Sequence, residues 1–74
     1  MMRLPRNARP TQVIRALERL GCEAVRQRGS HAWLRRGERR TVVPVHSGRA
    51  IPVGTLAAIL KDLEIGLPEF VNEL

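Results

Sequence analysis

Residues 22–45 read CEAVRQRGSHAWLRRGERRTVVPV, and this stretch determines the type of fold. Its apolar residues do not recur at helical spacing, and glycine or charged turns divide it into three short segments of strand character. Turns this short join neighbouring strands as hairpins, so the sequence predicts a three-stranded antiparallel meander. The segments are residues 22–28, 31–36 and 40–45, with turns at Gly29-Ser30 and around Gly37-Glu38.

The middle segment indicates that the two faces of this sheet differ in chemistry. Side chains alternate between the faces along a strand. One face therefore carries His31, Trp33 and Arg35, and the other carries Ala32, Leu34 and Arg36. Alternation alone leaves open which face is covered.

Amphipathic helical patterns precede and follow the three strand segments in the sequence. The first begins after Thr11, the expected N-cap, and ends before Gly21, which suits the left-handed position after a helix. The second begins near Gly54-Thr55, and a short third helix follows Gly66, with Pro68 and Glu69 in its first turn. The apolar stripes are Val13, Ile14, Leu17 and Leu20 in the first helix, Leu56, Ile59, Leu60 and Leu63 in the second, and Phe70, Val71 and Leu74 in the third.

The predicted fold is therefore α+β, a two-layer α-β-β-β-α arrangement with a short extra C-terminal helix. Two helices covering one face of a three-stranded antiparallel sheet suit a chain of 74 residues. We expect residues 1–10 to be a flexible basic lead-in, residues 11–66 to form the domain, and residues 67–74 to form the short helix packed on it or extending it. The other face of the sheet, or its edge, stays open.

The charge of the chain is positive and unevenly distributed. The formal net charge is +6, and all 12 arginines lie within residues 1–49. Residues 50–74 hold Lys61 against four acidic residues. This asymmetry favours a polyanionic partner such as RNA, bound by the N-terminal two thirds of the chain.

Several other classes of protein are disfavoured by composition. The single cysteine, Cys22, excludes an internal disulfide, and two histidines without matching carboxylates or thiols do not form a zinc site. No apolar run approaches the ~20 residues that span a bilayer. We expect a cytoplasmic protein without a metal, a cofactor or a membrane partner.

His31 is the residue best suited to chemistry. An imidazole can take and give a proton near neutral pH, and the arginines around it can hold phosphate. Alone, the pattern is more often that of a surface histidine in a tight turn. The alternative is that His31 acts as a general base on RNA. The candidate RNA-binding residues are Arg26, Arg28, Ser30, Arg35, Arg36, Arg39 and Arg40.

For the other candidates a structural role competes with a functional one. Ser30 is expected to shape the turn, because no carboxylate completes a nucleophilic triad. Trp33 could stack on a base, although a single tryptophan in a small domain is more often a core residue. His46 is expected to have a structural role at a strand end, with a second acid–base role as the alternative. The arginine pairs could be a solvated hairpin.

Three parts of the chain together resemble the HicA family of toxins. Leu20-Gly21-Cys22 followed by Val25–His31 resembles the family's helix end, first strand and glycine-serine-histidine signature. Thr41–His46 resembles its third strand, and Gly54-Thr55-Leu56 with Ile59-Leu60 resembles the start of its last core helix. The resemblance extends over roughly residues 11–66.

This resemblance implies a metal-independent mRNA interferase with a fold similar to a double-stranded RNA-binding domain. It implies His31 as the catalytic residue and a cognate HicB-like antitoxin, acidic where it meets the arginines, as protein partner. Many relatives carry a second histidine where this chain has Ala32. Because residues 31 and 32 point to opposite faces of a strand, we expect the first histidine to be the functional one.

Two other functions fit the same sequence. A non-catalytic RNA-binding module would use the same basic face without cleaving RNA. A protein-interaction domain would use the acidic and apolar C-terminal segment around Phe70.

Overall fold

A computed structural model describes residues 3–46 and 48–74. Met1 and Met2 of the predicted lead-in, and Ser47 of the segment before the second helix, lie outside the described residues. The α+β prediction is confirmed, including the helix-strand-strand-strand-helix order and the short C-terminal helix. The elements are α1 (Pro10–Arg19), β1 (Glu23–Arg28), β2 (His31–Arg36), β3 (Arg39–Pro44), α2 (Val53–Leu63) and α3 (Leu67–Asn72).

The three strands form one antiparallel sheet in the order β1-β2-β3. Arg28 pairs with His31 and Arg36 pairs with Arg39, so each hairpin has a two-residue loop. Each loop begins with a glycine of positive φ, 58° at Gly29 and 61° at Gly37. This is the pattern of a type II′ turn, whose twist matches that of the flanking strands.

One face of the sheet is covered by α1 and α2. Its central residues, Ala32 and Leu34 of β2 and Val43 of β3, are almost completely buried. The buried partners are Val13, Ala16 and Leu17 of α1 and Leu56, Ile59, Leu60 and Leu63 of α2. The covered face is therefore the one that carries Ala32 and Leu34, and His31, Trp33 and Arg35 lie on the other.

The start of α1 differs from the prediction. The N-cap is Arg9 rather than Thr11, because Pro10 occupies the first helical position, where the fixed φ of proline suits a helix and its missing N–H costs nothing. The main-chain N–H of Arg9 donates to Oε1 of Gln12 at 2.8 Å. The predicted end of α1 is confirmed, since Gly21 has a φ of 92°.

Both ends of the chain contact the core. Ala8 and Pro10, which belong to the predicted flexible lead-in, are buried, and the carbonyl of Ala8 accepts a hydrogen bond from the N–H of Ile51 at 2.8 Å. Phe70 of α3 is completely buried. It is therefore not available as the partner-binding residue of a protein-interaction domain. Leu74, expected to share its face, is half exposed.

Two further contacts complete the covered side. The hydroxyl of Thr41 on β3 donates to Oδ2 of Asp62 on α2 at 2.9 Å.

Cys22, just before β1, is buried, and burial raises the pKa of its thiol while nearby Arg36 lowers it by a smaller amount. Cys22 is thus a neutral core residue near pH 7. In the described ranges, no helix has the length and apolarity needed to cross a bilayer.

Truncating a residue of the covered face should destabilise the protein far more than truncating one on the other face. We expect Leu34→Ala to lower the free energy of unfolding by about 2–5 kcal/mol, because it leaves a cavity under both helices. The control is Val42→Ala on β3, whose side chain is exposed. Urea unfolding followed by circular dichroism measures both, and equal losses would contradict the assignment of the faces.

Candidate functional site

The face of the sheet turned away from the helices, called the open face below, carries the candidate site. Residues paired across the strands project from the same face, so the pairing register defines its side chains. The open face has three cross-strand rows, which are Arg28–His31–Pro44, Arg26–Trp33–Val42 and Glu23–Arg35–Arg40. Four arginines, one histidine and the only tryptophan thus share a surface with a single acidic residue.

A β-bulge at Val25 places two of these arginines on the open face. Glu23 and Ala24 pair with Arg35 and Leu34, and the register then skips Val25 so that Arg26 pairs with Trp33. Uninterrupted alternation from Glu23 would have sent Arg26 and Arg28 to the covered side. The extra residue of the bulge restores them to the face of His31.

His31 is the first residue of β2 and is exposed. Its backbone pairs with Arg28 and Pro44, and the carbonyl of Ser30 before it accepts a hydrogen bond from the N–H of Val45 at 2.7 Å. Among the residues that the structure describes, none forms a hydrogen bond with the imidazole. A well-anchored backbone thus holds a ring whose two nitrogens can both reach a ligand.

Trp33 lies beside His31 and is only half-buried. The two ring centroids are 5.9 Å apart with an interplanar angle of 49°, and the guanidinium carbon of Arg26 lies over the indole, 5.5 Å from the ring centroid. The core interpretation of Trp33 is therefore wrong. Its neighbours Ala32 and Leu34 fill the core, and alternation turns Trp33 outward.

The open-face arginines are available to an anion to different degrees. Arg35 contacts Glu23, with Nη2 and Oε1 2.7 Å apart, but both side chains are exposed. An ion pair of this kind contributes only about 0–1 kcal/mol, so a phosphate can compete for Arg35. Within the described residues, Arg28 and Arg40 have no ion-pair partner, and Arg26 lies over Trp33.

The remaining two candidate arginines lie away from His31. Nη1 of Arg36 donates to the main-chain carbonyls of Leu63 and Glu64, at 3.2 and 3.0 Å, at the C-terminal end of α2. Nη2 of Arg39 forms an ion pair with Oε2 of Glu64 at 2.7 Å. Cations at this position stabilise the negative end of a helix. The structure thus divides the predicted basic set into an open-face group and a pair that contacts the end of α2.

His46 follows Val45, whose N–H donates to the carbonyl of Ser30, and no hydrogen bond or ring contact between His46 and His31 occurs among the described residues. His46 lies two residues after β3 and borders two clefts, one with Arg49 and Pro52 and the other with Arg9 and Thr11. His31 lines neither of these clefts. Ser30 lies in the β1–β2 loop, the position that its predicted role in the turn requires.

Two clefts of the open face adjoin Trp33. One, of about 400 Å³, lies on the β1 side and includes Val25, Arg26 and Arg35. The other, of about 480 Å³, lies on the β3 side and includes Arg40, Val42 and Asp62. Sequence reasoning missed these clefts, because they depend on the bulge and on the position of α2. Within residues 3–46 and 48–74 there is no group of three histidine, cysteine or acidic side chains that could hold a metal.

A comparison with protein-family models gives a match. A family model described as "HicA toxin of bacterial toxin-antitoxin" matches residues 11–65, which run from the first turn of α1 to the end of α2 and include the open face. A search of curated proteins gave no significant match.

The positive φ of Gly29 positions the His31 loop and predicts the effect of a substitution there. We expect Gly29→Ala to lower the free energy of unfolding by about 1–2 kcal/mol, because an L-residue is disfavoured at that φ. A new methyl group would meet no atom within 4 Å, so the cost is conformational and not a clash. The control is Gly54→Ala in α2, expected to be neutral or stabilising, since alanine favours helix. Thermal unfolding measures both, and a neutral Gly29→Ala would contradict the turn geometry.

Proposed function

The chain belongs to the HicA toxin family of bacterial toxin–antitoxin systems, and we propose that it is an endoribonuclease that cleaves mRNA with His31 as its catalytic residue. The observation that carries this proposal is the placement of His31. It is an exposed imidazole at the start of the central strand, on the one face where four arginines gather. We propose that residues 11–66 form the cleaving unit, with α3 packed on it. We also propose that it acts on mRNA in the cytoplasm.

The chemistry uses the nucleophile that RNA itself contains. His31 accepts the proton of a ribose 2′-hydroxyl, and the 2′-oxygen forms a bond to the adjacent phosphorus. The bond from that phosphorus to the 5′-oxygen of the next nucleotide breaks, and the leaving oxygen takes a proton from the imidazolium or from water. The products are a 2′,3′-cyclic phosphate and a free 5′-hydroxyl. The route needs no metal.

The arginines of the open face supply the positive charge for this reaction. Arg28 is the cross-strand neighbour of His31, and Arg26 and Arg35 lie in the next rows. They position the RNA backbone and stabilise the extra negative charge that develops on the phosphate. Arg36 and Arg39 are assigned a structural role instead, because their cross-strand row projects from the covered side, toward the C-terminal end of α2.

Ala32 supports the assignment of catalysis to His31 alone. Its side chain is buried on the covered face, so no side chain at this position could contact an RNA bound to the open face. A histidine there would face the helices. The difference from relatives with two consecutive histidines therefore leaves the proposed reaction unaffected.

Membership of the family implies an antitoxin partner for this protein. We propose that this partner is a HicB-like protein. Its acidic surface would cover the open face, opposite Arg26, Arg28 and Arg40. Complementary charge would make association fast and dependent on salt concentration. Occlusion of His31 would then explain neutralisation without any change in the fold of the toxin.

Removing the imidazole should abolish cleavage. We expect His31→Ala to lower the rate of cleavage of a single-stranded RNA by at least about 10²-fold, the lower bound for loss of a general acid–base group, and to relieve growth arrest. The unfolding temperature should stay unchanged, because His31 is exposed. The assay is run in EDTA, and the products are tested for a 2′,3′-cyclic phosphate end.

The matched control for this experiment is His46→Ala, which removes the other histidine and should leave cleavage intact. Cleavage that persists in His31→Ala would overturn the assignment. Salt-dependent RNA binding by a wild-type chain that never cleaves would favour the non-catalytic RNA-binding module instead.

Open-face arginines should contribute to RNA affinity, and the arginines at the end of α2 should not. We expect Arg28→Ala to weaken binding of an RNA with 2′-O-methyl riboses, which resists this cleavage, and to reduce the salt slope by about 1. Arg39→Ala removes the same charge from the protein but should leave the slope unchanged. Binding titrations over a salt series measure both, and equal effects would indicate that only net charge matters.

A further inference from the structure

We propose that Trp33 is a stacking platform for an unpaired RNA base next to the ribose whose 2′-hydroxyl His31 deprotonates. This inference rests on the proposed function and extends it, because it specifies single-stranded RNA as the substrate at the cleavage site. It starts from the observation that the only tryptophan of the chain is placed on the open face and not in the core.

The first argument is the distance between the two rings. His31 and Trp33 are alternate residues of one strand, so both project from the open face, and their ring centroids are 5.9 Å apart. A base stacked on Trp33 therefore belongs to a nucleotide at or beside the ribose that His31 deprotonates. The rigid sheet holds the two rings in this relation, as a positioned reaction requires.

The second argument is that the two clefts beside Trp33 differ in character. On the β1 side the guanidinium of Arg26 already covers the indole. Both clefts have volumes within the range of ordinary ligand sites, about 300–1,000 Å³, and Arg40 lines both, so the position of Arg26 over the indole is what distinguishes them. We therefore place the base in the β3-side cleft.

The distribution of charge places the backbone of the RNA on the other side. Arg26 and Arg28 lie on β1, one strand away from Trp33 and His31, whereas the β3-side cleft contains both Arg40 and the carboxylate of Asp62. The two charges of the β3-side cleft offset each other, so a phosphate is attracted more strongly to the β1 side. The RNA backbone would thus run along β1, with one base turned inward across β2.

The third argument concerns pairing. A base inside a duplex is stacked on both sides by its neighbours, so its face cannot meet an indole. Aromatic platforms on sheets take single-stranded bases for this reason, and each stacked base contributes about 5- to 150-fold to affinity. The open face is accordingly suited to loops, linkers and other unpaired segments of an mRNA.

The first test uses the fluorescence of Trp33, which is the only tryptophan and so reports on this site alone. The wild-type chain is titrated with a single-stranded RNA that has 2′-O-methyl riboses, with the same sequence as a duplex, and with heparin. Heparin is a polyanion without bases. We expect strong quenching by the single strand and little by the duplex or heparin. Equal quenching by heparin and the single strand would contradict stacking.

The second test compares substitutions at Trp33. Trp33→Leu should weaken binding of the single strand and slow its cleavage by about 5- to 150-fold, while Trp33→Phe should retain most of both. Leu74→Ala, which truncates an exposed apolar residue outside the site, is the control and should match wild type. Heparin affinity should be equal in all four proteins, which separates stacking from charge and from misfolding.

The two proposals can fail separately. Wild-type cleavage that Trp33→Leu retains in full, together with loss of cleavage in His31→Ala, would overturn the platform and leave the nuclease intact. Absence of cleavage by the wild-type chain would overturn the nuclease. Base-dependent quenching in that same chain would still support the stacking site.

Discussion

The structure depends on the burial of Ala32 and Leu34 beneath the two helices. These residues leave water only if β2 turns one face toward α1 and α2, and strand geometry then sends its alternate side chains to the other face. His31, Trp33 and Arg35 therefore project from the open face, where His31 and Arg35 are exposed and Trp33 is half-buried. The hydrophobic contact that holds the two layers together thereby also forms the surface on which we place the site.

The second consequence of this arrangement is a division of the positive charge. Arg26, Arg28, Arg35 and Arg40 lie on the open face with His31. Arg36 instead donates to main-chain carbonyls at the end of α2, and Arg39 pairs with the carboxylate of Glu64 there. The first group is free to meet an anionic ligand, and the second stabilises a helix end. In each of the sequence pairs Arg35-Arg36 and Arg39-Arg40, one arginine therefore lies on the open face and its neighbour contacts the end of α2.

The proposed site needs few protein side chains, because RNA provides the attacking hydroxyl. What the protein must add is a proton acceptor, positive charge and a means of orienting one nucleotide, and three neighbouring rows of a sheet can supply all of these. The exposed His31 and the half-buried Trp33 on an open sheet suit a substrate that is a long polymer, which cannot enter a deep pocket. The same exposure leaves the site accessible to an antitoxin.

Local patterns in the sequence were sufficient for the elements and their order. Apolar spacing identified the helix stripes, and Gly29 and Gly37 marked both hairpin loops, because these features depend on residues close together in the chain. The predicted N-cap of α1, Thr11, was wrong, because the preference of proline for the first helical position makes Arg9, the residue before Pro10, the N-cap.

The sequence by itself therefore determined the α-β-β-β-α order and the basic N-terminal part, and it indicated His31 as the candidate site residue. Only the tertiary structure decided which face of β2 is open, that a bulge at Val25 returns Arg26 and Arg28 to that face, and that Trp33 lies beside His31 on it. The physical reason is that these outcomes depend on contacts between distant residues. Periodicity assigns side chains to two faces, but only packing against α1 and α2 decides which face is removed from water.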